Sequence, residues 1–240
     1  MSQLRQSAVR NHLLASLPPD DFAALGGSLR PLDLVPKRTL HAPDRPIETV
    51  YFPESGMVSM VAALEDGQLM EVGIVGREGM VGLPVVLGVD SGSVEAMVQV
   101  SGAALGLPAA SLVEALGRSP ALKALLLRYA QAFHVQVAQT AACNGRHPVE
   151  ERLARWLLMA HDRAGRPSFP MTQEFIATML GVRRAGVSLA AGILQRAGVI
   201  AYRHGRIAVL DRTGLEGTSC ECYGAVRRHF ERLLDTPAGE

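Results

Sequence analysis

Twenty-eight residues, Gln173 to Ile200, constrain this chain more than any others. They read QEFIATMLGVRRAGVSLAAGILQRAGVI. Ile176 and Leu180 are spaced i, i+4 and give a first helix one apolar face. Ala177 is small where a second helix must come close. Gly181 follows four residues later and can take the positive φ of a sharp turn. Val182 and Val187 then stand where they plug the second helix onto the first. Small, turn and apolar residues at these offsets describe a helix-turn-helix.

Val187, Ala191 and Leu194 recur at helical spacing and should face inward. That turns Arg183, Arg184, Ala185, Ser188 and Leu189 outward at the N-terminal end of the second helix. In a helix-turn-helix this end meets the base edges of a duplex. Arg183 and Arg184 can fork onto guanine or neutralise phosphate, and Ser188 can bond either. Leu189 has only an apolar surface to offer, for a thymine methyl or to exclude water. Upstream, Thr172 is placed to cap the first helix and Gln173 to meet a phosphate at its amides. Downstream, two β-rich runs between Val199 and Leu210 flank a turn containing Gly205, which reads as a wing hairpin. Arg203, His204 and Arg206 at its tip suit the phosphate backbone.

A formal net charge of +1 looks wrong for a nucleic-acid partner until it is divided along the chain. Residues 1–100 hold seven Lys/Arg and twelve Asp/Glu, a net of −5, whereas residues 171–210 hold five Arg and one Glu, a net of +4. A phosphate surface responds to this local charge. Apolar content of 48% over 240 residues gives real cores and room for about two domains. The longest uncharged stretch, Ala96 to Val113, is interrupted by Gly102, Gly106, Pro108 and two serines, so no membrane span is expected. Three cysteines argue against a disulfide framework, and with no signal peptide legible the expected location is the cytoplasm.

The front half has another texture. One or two short helices are expected over residues 12–29. Short β-prone runs then alternate with Gly, Pro and Asp turns: Thr49 to Phe52, Gly56 to Leu64, Leu69 to Val75, Met97 to Val100 and Ala104 to Leu107. Glu65-Asp66-Gly67-Gln68 reads as a tight hairpin turn. Such spacing predicts a jelly-roll-like β-roll, a shape that encloses a pocket. From Pro120 to Ala142 no Gly or Pro interrupts a helix. Leu122, Leu126, Tyr129, Phe133 and Val137 recur along it at threes and fours, which suggests a seam for a second copy of the chain. Asn144 to Pro148 reads as a hinge, and Val149 to Arg163 as the first helix of the reader. The expected α+β organisation is a β-roll over 1–118, a dimerisation helix and hinge over 119–147, a winged helix-turn-helix over 148–212 and a helical extension over 213–240.

In this order of parts, and above all in Glu150 to Leu210 and in Val72-Gly73-Ile74-Val75-Gly76-Arg77-Glu78-Gly79, the chain resembles the Crp/Fnr family of bacterial transcription regulators. The resemblance implies a homodimer that regulates transcription from palindromic double-stranded DNA, with RNA polymerase as a further partner and an effector acting on the roll. The family's reading sequences often carry Arg-Glu-Thr-Val or Glu-x-x-Ser-Arg. Here Arg184 matches the first Arg, while Ala185 and Leu189 stand at two usually polar positions, which implies a different operator. Cyclic-nucleotide binders of this fold grip the phosphate with an Arg before a strand. At that place the chain reads Ser93-Val94-Glu95-Ala96, so the resemblance puts Arg77, Glu78 and Glu95 in the effector pocket and argues against cyclic AMP. Residues 1–30 hold no cysteine, which excludes the family's N-terminal iron–sulfur cluster in its usual form.

Cys143, Cys220 and Cys222 leave a redox- or metal-responsive regulator open as an alternative. Cys220-Glu221-Cys222 with His229 two turns on offers three ligands, but Cys-x-Cys without a second pair completes no tetrahedral site, so no metal and no cofactor are expected. No nucleophile elbow, P-loop or His-Glu-x-x-His is present, so no enzyme is expected. A protein-interaction module without DNA binding is the remaining alternative.

Overall fold

The computed structural model describes residues 4–234. A single 3-10 turn over Gln6–Ala8 leads into α1 (His12–Ala15) and α2 (Pro19–Gly26). Pro19 occupies the first turn of α2, where its missing N–H costs nothing, and Asp20 and Asp21 lie at the positive end of the helix. The buried Asn11 caps α1 at the Leu14 amide and donates to the carbonyls of Pro53 and Gly79, which stitches the N-terminus to the strands.

Those strands are β1 (Arg30–Leu34), β2 (Thr39–His41), β3 (Thr49–Pro53), β4 (Met57–Ala63) and β5 (Leu69–Val75). After the short α3 (Leu83–Val86) come β6 (Glu95–Val100) and β7 (Gly102–Pro108). They form two antiparallel sheets, ordered β1-β7-β3 and β2-β6-β4-β5. Strict alternation along β6, with Ala96, Val98 and Val100 buried, turns one face inward and leaves the other wetter. The β4–β5 turn closes as expected: the Asp66 carboxylate accepts from the Gln68 amide, and Gly67 takes φ +81°.

Two helices leave the roll, α4 (Ala109–Arg118) and α5 (Pro120–Arg146). Ser119 caps α5 through the Leu122 amide and Pro120 opens it. Only His147 and Pro148 separate α5 from α6 (Val149–Ala164). The reader continues with β8 (Ser168–Pro170), α7 (Gln173–Leu180), α8 (Arg184–Arg196), β9 (Ile200–Arg203) and β10 (Arg206–Val209). Beyond it, α9 (Arg212–Thr218) packs on α6, and α10 (Cys222–Leu234) lies along α5. The bond from Arg128 Nε to the Leu233 carbonyl and the edge-on contact of Tyr129 with Phe230 hold α10 there.

The stripe expected to join two copies has another use. Leu122, Leu126 and Tyr129 are buried in a core shared with α1, α2 and the roll, and the Tyr129 hydroxyl donates to the Met80 carbonyl. Phe133 covers Gly73, where a Cβ would lie 2.8 Å from its ring. Val137 lines a half-open cavity of the same chain. The face of α5 left open is offset from these residues and runs Ala124, Leu127, Gln131, His134, Ala138, Ala141 and Gly145, each at least partly exposed. Its alternating steps of three and four keep one line on a helix.

Roll and reader share one core. Met57, Val61, Ile74 and Val100 from the strands are buried in one cluster with Leu153, Trp156, Leu157 and Ile176 from the reader. At its centre lies Glu71, buried, with its carboxylate accepting from Ser59 Oγ at 2.5 Å and Trp156 Nε1 at 2.6 Å. Nearby, Arg163 on α6 pairs with Glu78 at 2.7 Å across the same junction. Burial disfavours the charged form of Glu71 more than its two hydrogen bonds favour it, so its pKa is pushed up to about 7.

The sign of the linkage follows. The folded chain keeps the Glu71 proton up to about pH 7, while the unfolded chain loses it near 4.5. The folded state therefore binds more protons in that window and loses stability as pH rises through it. We expect Glu71→Gln to gain on the wild type by up to about 3 kcal/mol between pH 4.5 and 8. Urea melts followed by emission of Trp156, the sole tryptophan, check this. A wild-type-minus-variant difference that stays flat with pH rules it out.

Candidate nucleic-acid interface

Helices α7 and α8 meet at a bend of 106°. Thr172 accepts from the Phe175 amide and starts α7. Gly181, at φ +61°, ends it with its amide on the Ala177 and Thr178 carbonyls. A Cβ at Gly181 would meet only the flexible end of Met70 on β5, so it is the left-handed backbone that selects glycine. The Val182 amide returns to the Ala177 carbonyl, and Ala177, Val187, Ala191 and Leu194 are buried between the helices. Arg152 of α6 donates to the Leu180 carbonyl and, at 3.1 Å, to Asn144 Oδ1. One buried guanidinium thus joins the turn of the motif to the end of α5.

With that face inward, Arg183, Arg184, Ser188 and Leu189 stand outward, Leu189 with 65% of its surface open. They form one patch at the start of α8. Arg184 Nε lies 2.9 Å from Glu174 Oε1, both well exposed. Ser188 Oγ donates to Gln173 Oε1 at 2.6 Å. Two cross-links therefore run from the first turn of α7 to the first turns of α8. They hold Arg184 and Ser188 in position without covering them. Glu174 was not singled out in the sequence as a partner of Arg184. The pair spans the turn at a separation that no helical period reveals.

The wing is as the sequence predicts. β9 and β10 pair Arg203 with Arg206 across a two-residue loop, with His204 at φ +50° and Gly205 at φ +68°. Both left-handed values match the hairpin turn whose twist suits its strands. A third strand, β8, which the sequence left unassigned, flanks β10 through three residue pairs. Arg203 and Arg206 are exposed, and Arg206 reaches Ser168 Oγ only at 3.4 Å. The Met171 amide donates to the Gly205 carbonyl, which ties the wing to the entry of α7. The exposed arginines of patch and wing give the reader a basic surface of the kind that phosphates attract.

The expected effector residues are dispersed. Glu78 faces Arg163 and the Gly76 amide, and Arg77 borders a shallow groove between the roll and α10. Glu95 accepts from Thr39 Oγ1 at the sheet surface. None of the three lines the large cavity of the roll. That cavity, about 470 Å³, lies between the strands, α3 and the middle of α5. Met60, Val75, Met80, Leu83 and Phe133 make it apolar, and His41, His134, Ser91 and Ser93 supply its polar edge. His41 Nε2 is 2.7 Å from the Thr49 carbonyl, and burial lowers its pKa against the pull of that hydrogen bond. Arg77 and Glu78 lie on the loop after β5 and Glu95 opens β6, and all three stand outside the lining of that cavity.

Residues 151–218 match the family of the Crp-like helix-turn-helix domain. Comparison with curated protein sequences gives no match. Among solved structures the chain is similar to FixK2 from Bradyrhizobium japonicum, with TM-score 0.69 and 21% identity over 80% of this chain and 98% of that one. A CRP-family transcriptional regulator from Thermus thermophilus gives 0.64 and 24%, covering 78% and 96%. The c-di-GMP-responsive global regulator CLP of Xanthomonas campestris gives 0.61 and 17%, covering 80% and 99%. The chain shares with these structures a β-roll, a long helix and a winged helix-turn-helix with an exposed reading face. Residues 151–218 are a Crp-like helix-turn-helix domain, and the whole chain shares the fold of these structures. Among the described residues no single helix is long and apolar enough to cross a membrane.

Arg184 and Arg206 should differ in what they contribute. Arg184→Ala is expected to cost about 1–3 kcal/mol on a preferred site and to relax preference at one base position. Arg206→Ala should weaken all sequences alike and lower the salt slope by about one. Binding of both variants to preferred and scrambled duplexes over a salt series distinguishes them. Equal, sequence-blind losses would reduce Arg184 to a phosphate contact.

Proposed function

We propose that the chain acts as a homodimer on a palindromic operator and that its roll takes an effector other than cyclic AMP. The observation that carries the dimer is the open face of α5. Ala124, Leu127, Gln131, His134, Ala138, Ala141 and Gly145 leave a line of mostly short side chains along a 27-residue helix. Short side chains let two backbones approach, and the three-four spacing keeps contact along the length. A two-fold axis along this helix pair would present two readers to the duplex, each at its own half-site. Half-sites repeat at about 34–36 Å on one face of DNA, which sets the spacing expected of the operator.

The effector reading rests on the lining of the cavity. A cyclic phosphate carries a full negative charge and needs a cation or a fan of amides to replace its water. Among the described residues no Arg or Lys lines the cavity; its walls are aliphatic and aromatic with two histidines at the edge. A volume of about 470 Å³ suits a small, largely apolar molecule with one or two polar groups. Phe133, His134 and Val137 of α5 form one wall, so such a molecule would press on the helix that carries the open face. A contact to RNA polymerase belongs to the same reading.

Selection of bound duplexes from a random pool tests the proposal as a whole. We expect an inverted repeat with half-sites about one helical turn apart. An asymmetric single site would overturn the dimer. Ala138→Glu should place two carboxylates against each other and shift sedimentation from dimer to monomer, while far-UV circular dichroism stays unchanged. A variant that still sediments as a dimer would move the interface elsewhere. Calorimetry with cyclic AMP should give no heat of binding; a micromolar isotherm would overturn the effector reading.

A further inference from the structure

Cys143, His147, Cys220 and Cys222 lie far apart in sequence and converge in space. Cys143 is on the last turn of α5, and His147 is the residue that ends it. Cys220 stands between α9 and α10, and Cys222 is the first residue of α10. The folding of α10 back along α5 brings the two regions together. One ligand atom from each of the four lies within 4.8 Å of every other. All three cysteines are buried, and His147 is half-buried.

Two edges of this group have the dimensions of a tetrahedral ion site, and the rest lie within 4.8 Å. With metal–sulfur bonds of about 2.3 Å and metal–nitrogen bonds of about 2.0–2.1 Å, a tetrahedron has S···S edges near 3.8 Å and S···N edges near 3.6 Å. Cys143 Sγ and Cys220 Sγ are 3.5 Å apart, and Cys222 Sγ and His147 Nδ1 are 3.6 Å apart. The sulfur pair is far longer than a disulfide, which needs about 2.05 Å. The four atoms are also too close for a polynuclear iron–sulfur cluster, whose ligands attach to separate iron atoms.

The surroundings fit a ligand set as well. His147 turns Nδ1 to the sulfurs and Nε2 to the Glu221 carboxylate at 3.3 Å. A carboxylate on the far nitrogen places the proton there and leaves the near nitrogen its lone pair, the arrangement typical of metal-bound histidine. Gln139 Nε2 donates to Cys222 Sγ at 3.0 Å, a bond that favours thiolate over thiol. His229, which the sequence offered as a third ligand, instead lies beside Arg232 on the outer part of α10.

We propose that Cys143, His147, Cys220 and Cys222 bind one thiophilic divalent cation, Zn²⁺ foremost, and that the ion fastens the C-terminal helices to the hinge between sensor and reader. Three thiolates and an imidazole are soft donors in a closed set of four, which selects zinc over magnesium or calcium. Binding releases the thiol protons, so affinity rises with pH. The ion joins the end of α5, the His147–Pro148 break and the start of α10. Its loss frees α10 from the hinge while leaving the cores of roll and reader intact. This assignment stands apart from the dimer and effector readings, because its readout is the metal itself.

The test uses the full chain, purified under reducing conditions without affinity metal. Elemental analysis should find about one zinc per chain, and Co²⁺ loaded in its place should show the intense visible bands and sulfur-to-cobalt charge transfer of a tetrahedral S₃N site. Cys222→Ser and His147→Ala should lose the ion, His229→Ala should retain it, and Glu221→Gln should retain it with roughly tenfold or more weaker affinity. Should the variants misfold, the cobalt spectrum of the wild type decides alone. An octahedral cobalt spectrum, retention of metal by His147→Ala, or a Cys143–Cys220 disulfide formed when the Zn²⁺-loaded protein is exposed to dioxygen as oxidant would each overturn the assignment.

Discussion

The architecture depends on a carboxylate held in a dry place. Glu71 lies where the second strand of the β4–β5 hairpin meets the first helix of the reader. Its two donors come from opposite sides, Ser59 from the roll and Trp156 from α6. The surrounding cluster is apolar and continuous across the two parts. A linker alone would leave the reader free to wander, since only two residues join α5 to α6. The buried hydrogen bonds and the Arg163–Glu78 pair fix one angle instead. Partners of this kind are sensitive to each other's position, because a buried carboxyl that loses a donor in such surroundings is left with an unsatisfied polar atom.

Much of the reader was legible in the sequence because its rules are local. Ala177, Gly181, Val187 and Leu194 act within a span of eighteen residues, and each has a steric reason that holds in any protein. The wing followed from a two-residue loop with Gly205. The roll was legible as a class, since Asp66-Gly67 and the alternating strands announce hairpins, but its edge strands β1 and β2 were not. Arg30-Pro-Leu-Asp-Leu contains a proline and an acid, and it is a strand only because β7 lies beside it.

Other elements depended on contacts that sequence does not display. The apolar stripe Leu122, Leu126, Tyr129 was correctly placed on one face of α5, yet that face belongs to the chain's own core. A stripe reports that something covers it and not what does so. The face left bare is short-chained and mixed with Gln131 and His134, and it gives almost no periodic hydrophobic signal. The cysteines were similarly ambiguous. Cys220 and Cys222 looked incomplete because their nearest histidine in sequence is His229, whereas α10 reverses along α5 and brings His147 instead. Glu78 and Arg77 were assigned to the effector through their loop, but the loop's turn directs them to α6 and α10.

Helix α5 carries three of these features on a single rod. Phe133 and His134 at its middle wall the roll's cavity, its outer face is bare, and Cys143 and His147 lie at its end. At 1.5 Å per residue its 27 residues extend about 40 Å. A tilt of about 5° at one end of such a lever moves the other by roughly 3–4 Å, which is close to the roughly 3.4 Å step between stacked base pairs. On a lever of this length a small change of angle at the cavity becomes a step of about one base pair at the far end.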